Sequence, residues 1–249
     1  MTQVIGHRGA SAVAPENTVE AFRRAVELGA DGVELDVRRS TAGHLAVSHD
    51  EVLPDGRVLF GLDRRDWPEA LCELSAALDA CAGLAVVNVE IKNWPTDGDY
   101  DADLAIADAV VAALLTRPAD EQGAFLVSCF DLATVDRVRE VAPGLATAWL
   151  TLGFGDVERD LERVAERGHS AVHPHHSAVD AQVVAAAHAR GLAVNTWTCD
   201  LPDRIRWLAD AGVDAVVTND VATALTALDR RPPNPAPDPD PTPDPKLRT

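Results

Sequence analysis

The chain has 249 residues and a formal net charge of −18, with 47% apolar but only 4% aromatic residues. Its length fits a single α/β barrel. Neither nucleic acid nor an anionic membrane surface is expected as a partner, because both require a basic patch and Lys and Arg are nowhere clustered. No apolar run approaches the roughly 20 residues that span a bilayer, so stable membrane insertion is not expected either.

The cysteines have neither the spacing of a zinc site nor that of a dense disulfide framework. Cys72, Cys81, Cys129 and Cys199 are therefore expected to be free thiols in a cytoplasmic protein. The first apolar segment begins within a few residues of Met1, which leaves no room for a signal peptide. The oligomeric state has no signal in the sequence.

Short β-branched segments alternate with helix-periodic segments along the chain. The strands are predicted at 3–6, 32–38, 85–92, 124–129, 145–150, 170–173, 192–197 and 213–217. The helices are predicted at 18–28, 69–82, 102–116, 131–141, 156–167, 179–190, 203–211 and 220–229. Such alternation with short connections is typical of parallel βαβ units. Eight units predict a single-domain (β/α)₈ TIM barrel over 1–230, with a doubly wound open sheet as the alternative.

The last segment differs in kind. Residues 231–249 contain eight of the sixteen prolines and almost nothing apolar. Such a composition cannot form a helix or a sheet ladder, so a disordered Pro/Asp-rich tail without chemistry of its own is expected.

Two polar residues, His7 and Arg8, follow directly on the first predicted strand. A glycine-rich turn and a helix start come next. Asn17 is expected to cap that helix, with Glu20 completing a capping box, and a contact between Asn17 and the functional site is the alternative.

The second and third strands carry acids on one face. Apolar residues at 33, 35 and 37 alternate with Glu34 and Asp36, and those at 87, 89 and 91 alternate with Asn88, Glu90 and Lys92. Because the apolar face must meet the helices, the acids point into the barrel near the strand ends, where barrel active sites lie.

Burying these acids without partners is costly, so something must balance their charge. One divalent cation held by Glu34, Asp36 and Glu90 does so, and oxygen ligands indicate Mg²⁺ or Ca²⁺. A structural ion-pair network is the alternative. Arg8 and Lys92 add fixed positive charge of the kind that binds a phosphate oxygen.

A second histidine, His49, ends a short strand that folds back after the acidic strand. His7 and His49 each stand at a strand end beside the same carboxylates. The pair can flank a reacting atom, one ring taking a proton and the other giving one.

The segment GHRGASAVAPENTVEAFRRAVELGADGVELDVRRSTAGHLAVSHD at 6–50, with VNVEIK at 87–92, resembles the glycerophosphodiester phosphodiesterase family in a short-insertion, bacterial form. LVSCF, GLAVNTWTCD and GVDAVVTND are similar to its later segments. The resemblance implies a TIM barrel that hydrolyses glycerophosphodiesters to an alcohol and glycerol 3-phosphate with a divalent cation. By position it implies the following roles: metal ligands Glu34, Asp36 and Glu90; acid–base pair His7 and His49; phosphate contacts Arg8 and Lys92.

Two further expectations come from the resemblance. Trp197 matches the family's tryptophan and is expected to form an apolar wall for the glycerol moiety, with plain core packing as the alternative. The segment after Asp50 is shorter than the family's usual insertion, so the site should be open and should accept varied alcohols as parts of its small phosphodiester substrate.

Other readings stay open. A lysophospholipase D or sphingomyelinase D-like enzyme that gives a cyclic phosphate is one alternative, and a barrel that binds phosphodiesters without turnover is another. The paired histidines argue against a pure binder, which needs no proton-transfer groups.

In HPHH at 173–176, Pro174 hinders the histidines from converging, so a second metal site is not expected there.

Overall fold

The computed structural model describes residues 1–230, which contain nine strands and nine α-helices, mostly in βα order. The strands are Gln3–His7 (β1), Gly32–Arg39 (β2), Leu45–Val47 (β3), Val86–Ile91 (β4), Phe125–Cys129 (β5), Ala146–Thr151 (β6), Ala171–Pro174 (β7), Ala193–Thr196 (β8) and Ala215–Thr218 (β9). The helices are Val19–Leu28 (α1), Leu74–Ala80 (α2), Ala105–Leu115 (α3), Ala119–Gln122 (α4), Leu132–Val141 (α5), Val157–Glu166 (α6), Ala181–His188 (α7), Pro202–Asp210 (α8) and Val221–Ala227 (α9). The tail expected at 231–249 lies outside the described residues.

Eight parallel strands close into a barrel. β1 pairs with β9 on one side and with β2 on the other, so the first strand completes the ring. The remaining strand, β3, pairs antiparallel with β2 outside the ring. The predicted (β/α)₈ TIM barrel is confirmed, and the open-sheet alternative is wrong. Within residues 1–230, none of the helices has both the length and the apolar character needed to cross a membrane.

The core lies between the barrel and its helices. In β2 the side chains at 33, 35 and 37 are fully buried in this layer together with Phe22 of α1. Fully burying side chains of this size contributes about 1.5–3 kcal/mol each. Because strand side chains alternate, that packing turns Glu34 and Asp36 toward the barrel interior.

Helix α1 begins at a different cap from the one expected. Thr18 is the N-cap, and its hydroxyl accepts a hydrogen bond from the Ala21 N–H at 3.2 Å. The expectation that Asn17 caps this helix is wrong, because Asn17 has left-handed backbone (φ 56°) and its side chain bonds to the barrel strand instead. The helix ends at Gly29, whose φ of 83° suits a residue without a Cβ.

The connection after β3 is compact. Leu53, Leu59 and Trp67 pack against Ala46 of β3 as a small apolar cluster separate from the main core. This cluster fixes the course of residues 48–73 beside the carboxyl end of the barrel. The short connection predicted after Asp50 therefore runs beside the barrel mouth, where Asp50, Glu51 and Val52 lie near Glu90 and Lys92.

His173 of β7 lies inside the barrel and is 2% exposed. Asn195 Nδ2 donates to its Nε2 at 3.0 Å. Burial lowers the pKa of His173 to about 3. The ring is therefore neutral in the folded protein at pH values where a histidine in an unfolded chain becomes charged.

We expect His173 to reduce stability in acid. Between pH values of about 6.5 and 3 the unfolded chain binds a proton at this ring and the folded protein does not. The free energy of unfolding should thus fall by about 2 kcal/mol between pH of about 6.5 and about 5 on this account alone. His173→Gln, which keeps a polar side chain, should flatten that slope in urea unfolding.

His188→Gln is the matched control, since His188 is half-exposed beside Asp214 on the barrel surface. It should keep the slope of the wild type. A His173→Gln slope equal to that of the wild type contradicts the assignment.

Candidate active site

Three carboxylates from β2 and β4 converge at the carboxyl end of the barrel. The parallel register places Asp36 beside Glu90 and Glu34 beside Asn88. One oxygen from each of Glu34, Asp36 and Glu90 lies within 4.8 Å of the other two, and all three residues are buried. Across residues 1–230, this is the one group of three or more His, Cys, Asp or Glu side chains spaced closely enough to share a metal ion. The structure thus brings together the three acids selected from the sequence.

Two cations lie against these carboxylates. Lys92 Nζ is 2.7 Å from Glu90 Oε1 and 3.6 Å from Asp36 Oδ1. Arg8 Nε is 3.1 Å from Asp36 Oδ2, and the Arg8 backbone N–H donates to Glu34 Oε2 at 2.9 Å. Three acids against two cations leave one excess negative charge when all are ionised.

The pKa values of the three carboxyl groups diverge. Burial, reinforced by the charges of Asp36 and Glu90, raises the pKa of Glu34 well above its ordinary value. Burial also raises the pKa of Glu90, although Lys92 opposes this shift. Burial acts in the same direction on Asp36, but Lys92 and Arg8 outweigh it and hold the pKa of Asp36 below its ordinary value. Asp36 is the permanent anion, and Glu34 is the acid that most needs further positive charge.

Glu34 also has an oxygen without a partner. Its Oε1 is buried and accepts no hydrogen bond from any residue in the described part of the chain. Leaving a buried acceptor unpaired costs about 1–3 kcal/mol, and more for a charged group. A hard divalent cation pairs with such an oxygen, and an all-carboxylate set suits Mg²⁺ or Ca²⁺ better than zinc. The residues present fit one divalent cation.

The turn after β1 is strained. Arg8 has a φ of 57°, which is uncommon for a residue with a Cβ. Gly9 follows with a φ of 84°, and a Cβ at that position would lie 2.5 Å from the Ala21 backbone of α1. The turn therefore requires a glycine, and it places both the backbone and the side chain of Arg8 against the carboxylates. Strain of this kind concentrates at functional sites.

Asn17 is part of the site. Its Nδ2 donates to Asp36 Oδ2 at 2.8 Å, and its Oδ1 accepts from the Asp36 backbone N–H at 3.3 Å. This two-way contact fixes the orientation of the Asp36 carboxylate. Of the two roles considered for Asn17 from the sequence, the contact with the site is the one observed.

His7 lies at the end of β1 beside Glu34. The side-chain Oδ1 of Asn219 is 2.7 Å from His7 Nδ1, and Glu34 Oε2 is 3.9 Å from His7 Nε2. Burial, and then the charge of Arg8, lowers the pKa of His7. The ring is therefore predominantly neutral at neutral pH, with Nε2 on the side of the carboxylates.

His49 lies on the connection after β3, with its Nδ1 2.7 Å from Asp50 Oδ1. Its backbone carbonyl accepts from Arg38 Nε at 2.9 Å. Arg38 is buried in turn and donates to Asp99 at 2.6 Å and to Asp97 at 3.1 Å. These bonds tie the segment that carries His49 to the end of β2.

Residues 7–223 match the model of the glycerophosphoryl diester phosphodiesterase family. The chain belongs to this family. A glycerophosphodiester phosphodiesterase of Caldanaerobacter subterraneus is 30% identical over 236 residues, which cover 90% of this chain and 96% of that protein. The resemblance found in the sequence is confirmed, and with it the expectation that the chain is an enzyme of the phosphodiesterase class.

Solved structures of the family agree with this fold. A glycerophosphodiester phosphodiesterase of Thermotoga maritima has a TM-score of 0.78 and 28% identity, covering 92% of this chain and 99% of that one. A phosphodiesterase of Oleispira antarctica, solved with the product sn-glycerol-3-phosphate, has a TM-score of 0.82 and 24% identity. It covers 92% of this chain and 97% of its own.

Trp197 follows β8 and borders a small inner pocket that also touches His7 and Glu34. Its indole N–H donates to the His173 carbonyl at 2.8 Å, and its ring packs edge to face with Phe130 at 5.5 Å. The indole is thus fixed beside the site.

The three histidine side chains of the HPHH segment at 173–176 do not converge on one point. His173 lies inside the barrel, whereas His175 Nδ1 is 2.7 Å from Ser177 Oγ at the surface end of the strand. The ring of His176 packs against that of His175 at 4.4 Å between centroids. His173 is thus separated from the other two rings, which pack against each other.

All four cysteines are free. Burial raises the pKa of the Cys81 thiol and of the Cys129 thiol to about 12, and that of Cys72 to about 11. Thiols with such pKa values are poor nucleophiles at neutral pH.

A groove of about 640 Å³ reaches the carboxylate cluster at Glu90 and is also lined by His49 and Lys92. We call it the outer groove. Val52, Trp94 and Leu152 line it from three different loops while being 45%, 40% and 68% exposed. Large apolar side chains gathered in one concave surface are typical of a ligand site. The short connection after Asp50 predicted an open site, and the outer groove is an opening of this kind.

Several polar residues of the site escaped the sequence analysis. They are Arg38, Asp97, Asp99, Asp200 and Asn219. Arg38 had a usable signal, because it shares the inward parity of Glu34 and Asp36 in β2. The aspartates and Asn219 lie in loops, where no periodicity marks them.

Proposed function

We propose that this enzyme hydrolyses glycerophosphodiesters to an alcohol and glycerol 3-phosphate, using one divalent cation and proton transfer by His7 and His49. The observation that supports this most directly is the convergence of three buried carboxylates, two cations and the His7 ring at one barrel end. The names of the relatives support the substrate class, since one is a glycerophosphodiester phosphodiesterase and another holds sn-glycerol-3-phosphate as its product.

Glu34, Asp36 and Glu90 hold the cation, Mg²⁺ or Ca²⁺, in this proposal. With all three acids ionised the site has one excess negative charge, and a phosphodiester adds another. At an effective dielectric constant near 20, two like charges about 4 Å apart repel by roughly 4 kcal/mol. When bound, a divalent cation offsets this repulsion and polarises a phosphoryl oxygen.

Arg8 and Lys92 contact the phosphate of the substrate. Both side chains are largely buried and already held by carboxylates, so little conformational freedom remains to be lost on binding. Burial opposes the charge on Lys92, but Glu90 and Asp36 raise its pKa above the ordinary value. Lys92 therefore stays charged and attracts an anion in a chain whose net charge is −18.

Protons move at the Nε2 atoms of the two histidines. Each ring has an oxygen partner at Nδ1, Asn219 for His7 and Asp50 for His49, so Nε2 is the free position. One ring takes a proton from the water that forms the new P–O bond. The other ring gives a proton to the alcohol oxygen as the old P–O bond breaks. Trp197 provides an apolar wall for the glycerol moiety.

A second candidate is a lysophospholipase D or sphingomyelinase D-like reaction, in which a hydroxyl of the substrate attacks phosphorus and leaves a cyclic phosphate. The outer groove favours it, since exposed Val52, Trp94 and Leu152 suit a substrate with a hydrocarbon part. Phosphorus NMR of the products separates the two reactions, because a cyclic phosphate and glycerol 3-phosphate give distinct signals.

The metal proposal predicts a thermal shift. Mg²⁺ or Ca²⁺ at about 100 times its Kd stabilises a one-site protein by about 2.7 kcal/mol, so the Tm should rise by about 5–10 °C over that in chelator. Glu34→Gln should remove most of this rise. Its Tm in chelator should not fall below that of the wild type, because the substitution removes one of three buried like charges.

Asp108→Asn is the control, since Asp108 pairs with Arg137 on the helical surface. It should respond to the cation as the wild type does. Full activity in chelator, with no bound metal by elemental analysis, contradicts the proposal and leaves the acids as a structural network.

The proton-transfer proposal predicts that His7→Ala and His49→Ala each lower kcat by about 10²–10⁴-fold, the usual contribution of a positioned acid or base. Steady-state kinetics on glycerophosphodiesters with a poor leaving group provide the measurement, with circular dichroism to establish folding. His188→Ala should keep the wild-type kcat, because this ring lies on α7 beside Asp214. Near-normal turnover in a folded His7 or His49 variant shows that the ring has another role.

The outer groove predicts a broad choice of alcohol. Diesters of choline, ethanolamine, inositol and lysolipid alcohols should have kcat/KM values within about tenfold of one another, since apolar contacts discriminate weakly. Trp94→Ala and Leu152→Ala should raise KM for the lysolipid diester and leave KM for the inositol diester unchanged. Strict selectivity for one alcohol, unaffected by either substitution, contradicts a role for this groove.

A further inference from the structure

Asp200, Asn219 and His7 form a chain of hydrogen bonds behind the site. Asn219 Nδ2 donates to Asp200 Oδ2 at 2.7 Å, and Asn219 Oδ1 lies 2.7 Å from His7 Nδ1. Asp200 follows β8 and Asn219 follows β9, so the chain links two loops to the end of β1. None of these contacts is local in sequence.

Asp200 decides which way the Asn219 amide faces. Burial raises the pKa of Asp200, but hydrogen bonds from the Thr218 hydroxyl and from Asn219 outweigh it and hold the pKa below its ordinary value. The Thr218 Oγ1 and the Asn219 backbone N–H both donate to Asp200 Oδ1 at 2.8 Å. An ionised carboxylate accepts hydrogen bonds and donates none. Asn219 must therefore turn its NH₂ toward Asp200 and its carbonyl oxygen toward His7.

The amide orientation in turn decides the proton on His7. Asn219 Oδ1 can only accept, so the neutral ring must carry its proton on Nδ1. Ser11 Oγ also lies 3.0 Å from this oxygen and donates to it. His7 Nε2 is left with a free lone pair on the side of Glu34 Oε2, 3.9 Å away.

We propose that Asp200 and Asn219 are positioning residues that hold neutral His7 in the Nδ1–H tautomer, so that Nε2 is ready to accept a proton. This inference rests on the proposed function in taking His7 as a proton-transfer group. Neither residue touches the reacting atoms. Both act through His7 alone.

The need for such a device follows from imidazole chemistry. A neutral imidazole in water exchanges between two tautomers, and the one with its proton on Nε2 cannot accept another there. His49 has its Nδ1 partner in a sequence neighbour, because Asp50 Oδ1 lies 2.7 Å from its Nδ1. His7 is followed instead by Arg8, which is bound to the carboxylates, so its partner comes from the loop after the neighbouring strand β9, 212 residues later in the chain.

The direct test is ¹⁵N NMR of the histidine side chains at about pH 8, where histidines are neutral. His7 signals are assigned by their loss in His7→Ala, and spectra are taken with and without Mg²⁺. The wild type should show a protonated Nδ1 and an unprotonated Nε2 at His7. Asn219→Leu, which removes the acceptor and keeps a side chain branched at Cγ, should move the His7 Nε2 signal toward the protonated range. Asp200→Asn, which frees the amide to rotate, should do so in part.

Ser11→Ala is the matched control, because it removes another bond to the same oxygen and leaves the Asp200–Asn219 contact in place. Its His7 spectrum should equal that of the wild type. An unchanged His7 tautomer in folded Asn219→Leu, or an Nε2–H tautomer in the wild type, overturns the proposal.

Kinetics separate positioning from a purely structural role. Asn219→Leu should lower kcat by about 10–100-fold and leave KM within about twofold, since proton transfer changes and binding does not. In a His7→Ala background the same substitution should cost nothing further, because its effect passes through the missing ring. An equal loss in both backgrounds contradicts the proposal. If His7→Ala keeps normal turnover, the proposed function fails at His7, while the NMR result still decides the tautomer.

Discussion

The site is organised by excess negative charge that the barrel cannot expel. The outward positions of β2 and β4 are occupied by core residues, so Glu34, Asp36 and Glu90 can only face inward. Lys92 and Arg8 neutralise part of this charge, and one Glu34 oxygen has no hydrogen-bond partner among residues 1–230. Replacing these acids by apolar residues would cost the fold little, whereas burying their charges is expensive. A buried charge cluster that the fold does not need indicates a chemical role.

Much of the remaining polar structure keeps this cluster and the histidines in place. Asn17 holds Asp36 from the first loop, and Arg38 ties the His49 segment to β2 through its carbonyl. The strained conformation of Arg8 persists because its backbone N–H is bonded to a carboxylate. Preorganised donors and acceptors of this kind reduce the reorganisation needed during a reaction.

The sequence predicted features that depend on neighbouring residues and missed those that depend on distant ones. Strand alternation was enough to find Glu34 and Asp36. Helix α2 begins later than predicted because residues before Leu74 pair with β3, as the Ala46–Glu73 bridge shows. The capping pattern at Asn17 was misleading because its partner, Asp36, lies on another strand. Local patterns cannot reveal such tertiary partners.

The closure of the ring through β1 has a consequence for biosynthesis. Domains begin to fold as they emerge from the ribosome, N-terminal segments first. The edge of β1 that β9 covers stays unpaired until residues 215–218 have been made, so an incomplete chain exposes a strand edge open to aggregation. The oxygen that meets His7 Nδ1 arrives 212 residues after the histidine itself. The nascent enzyme thus carries His7 long before it can complete the active site, which requires residue 219.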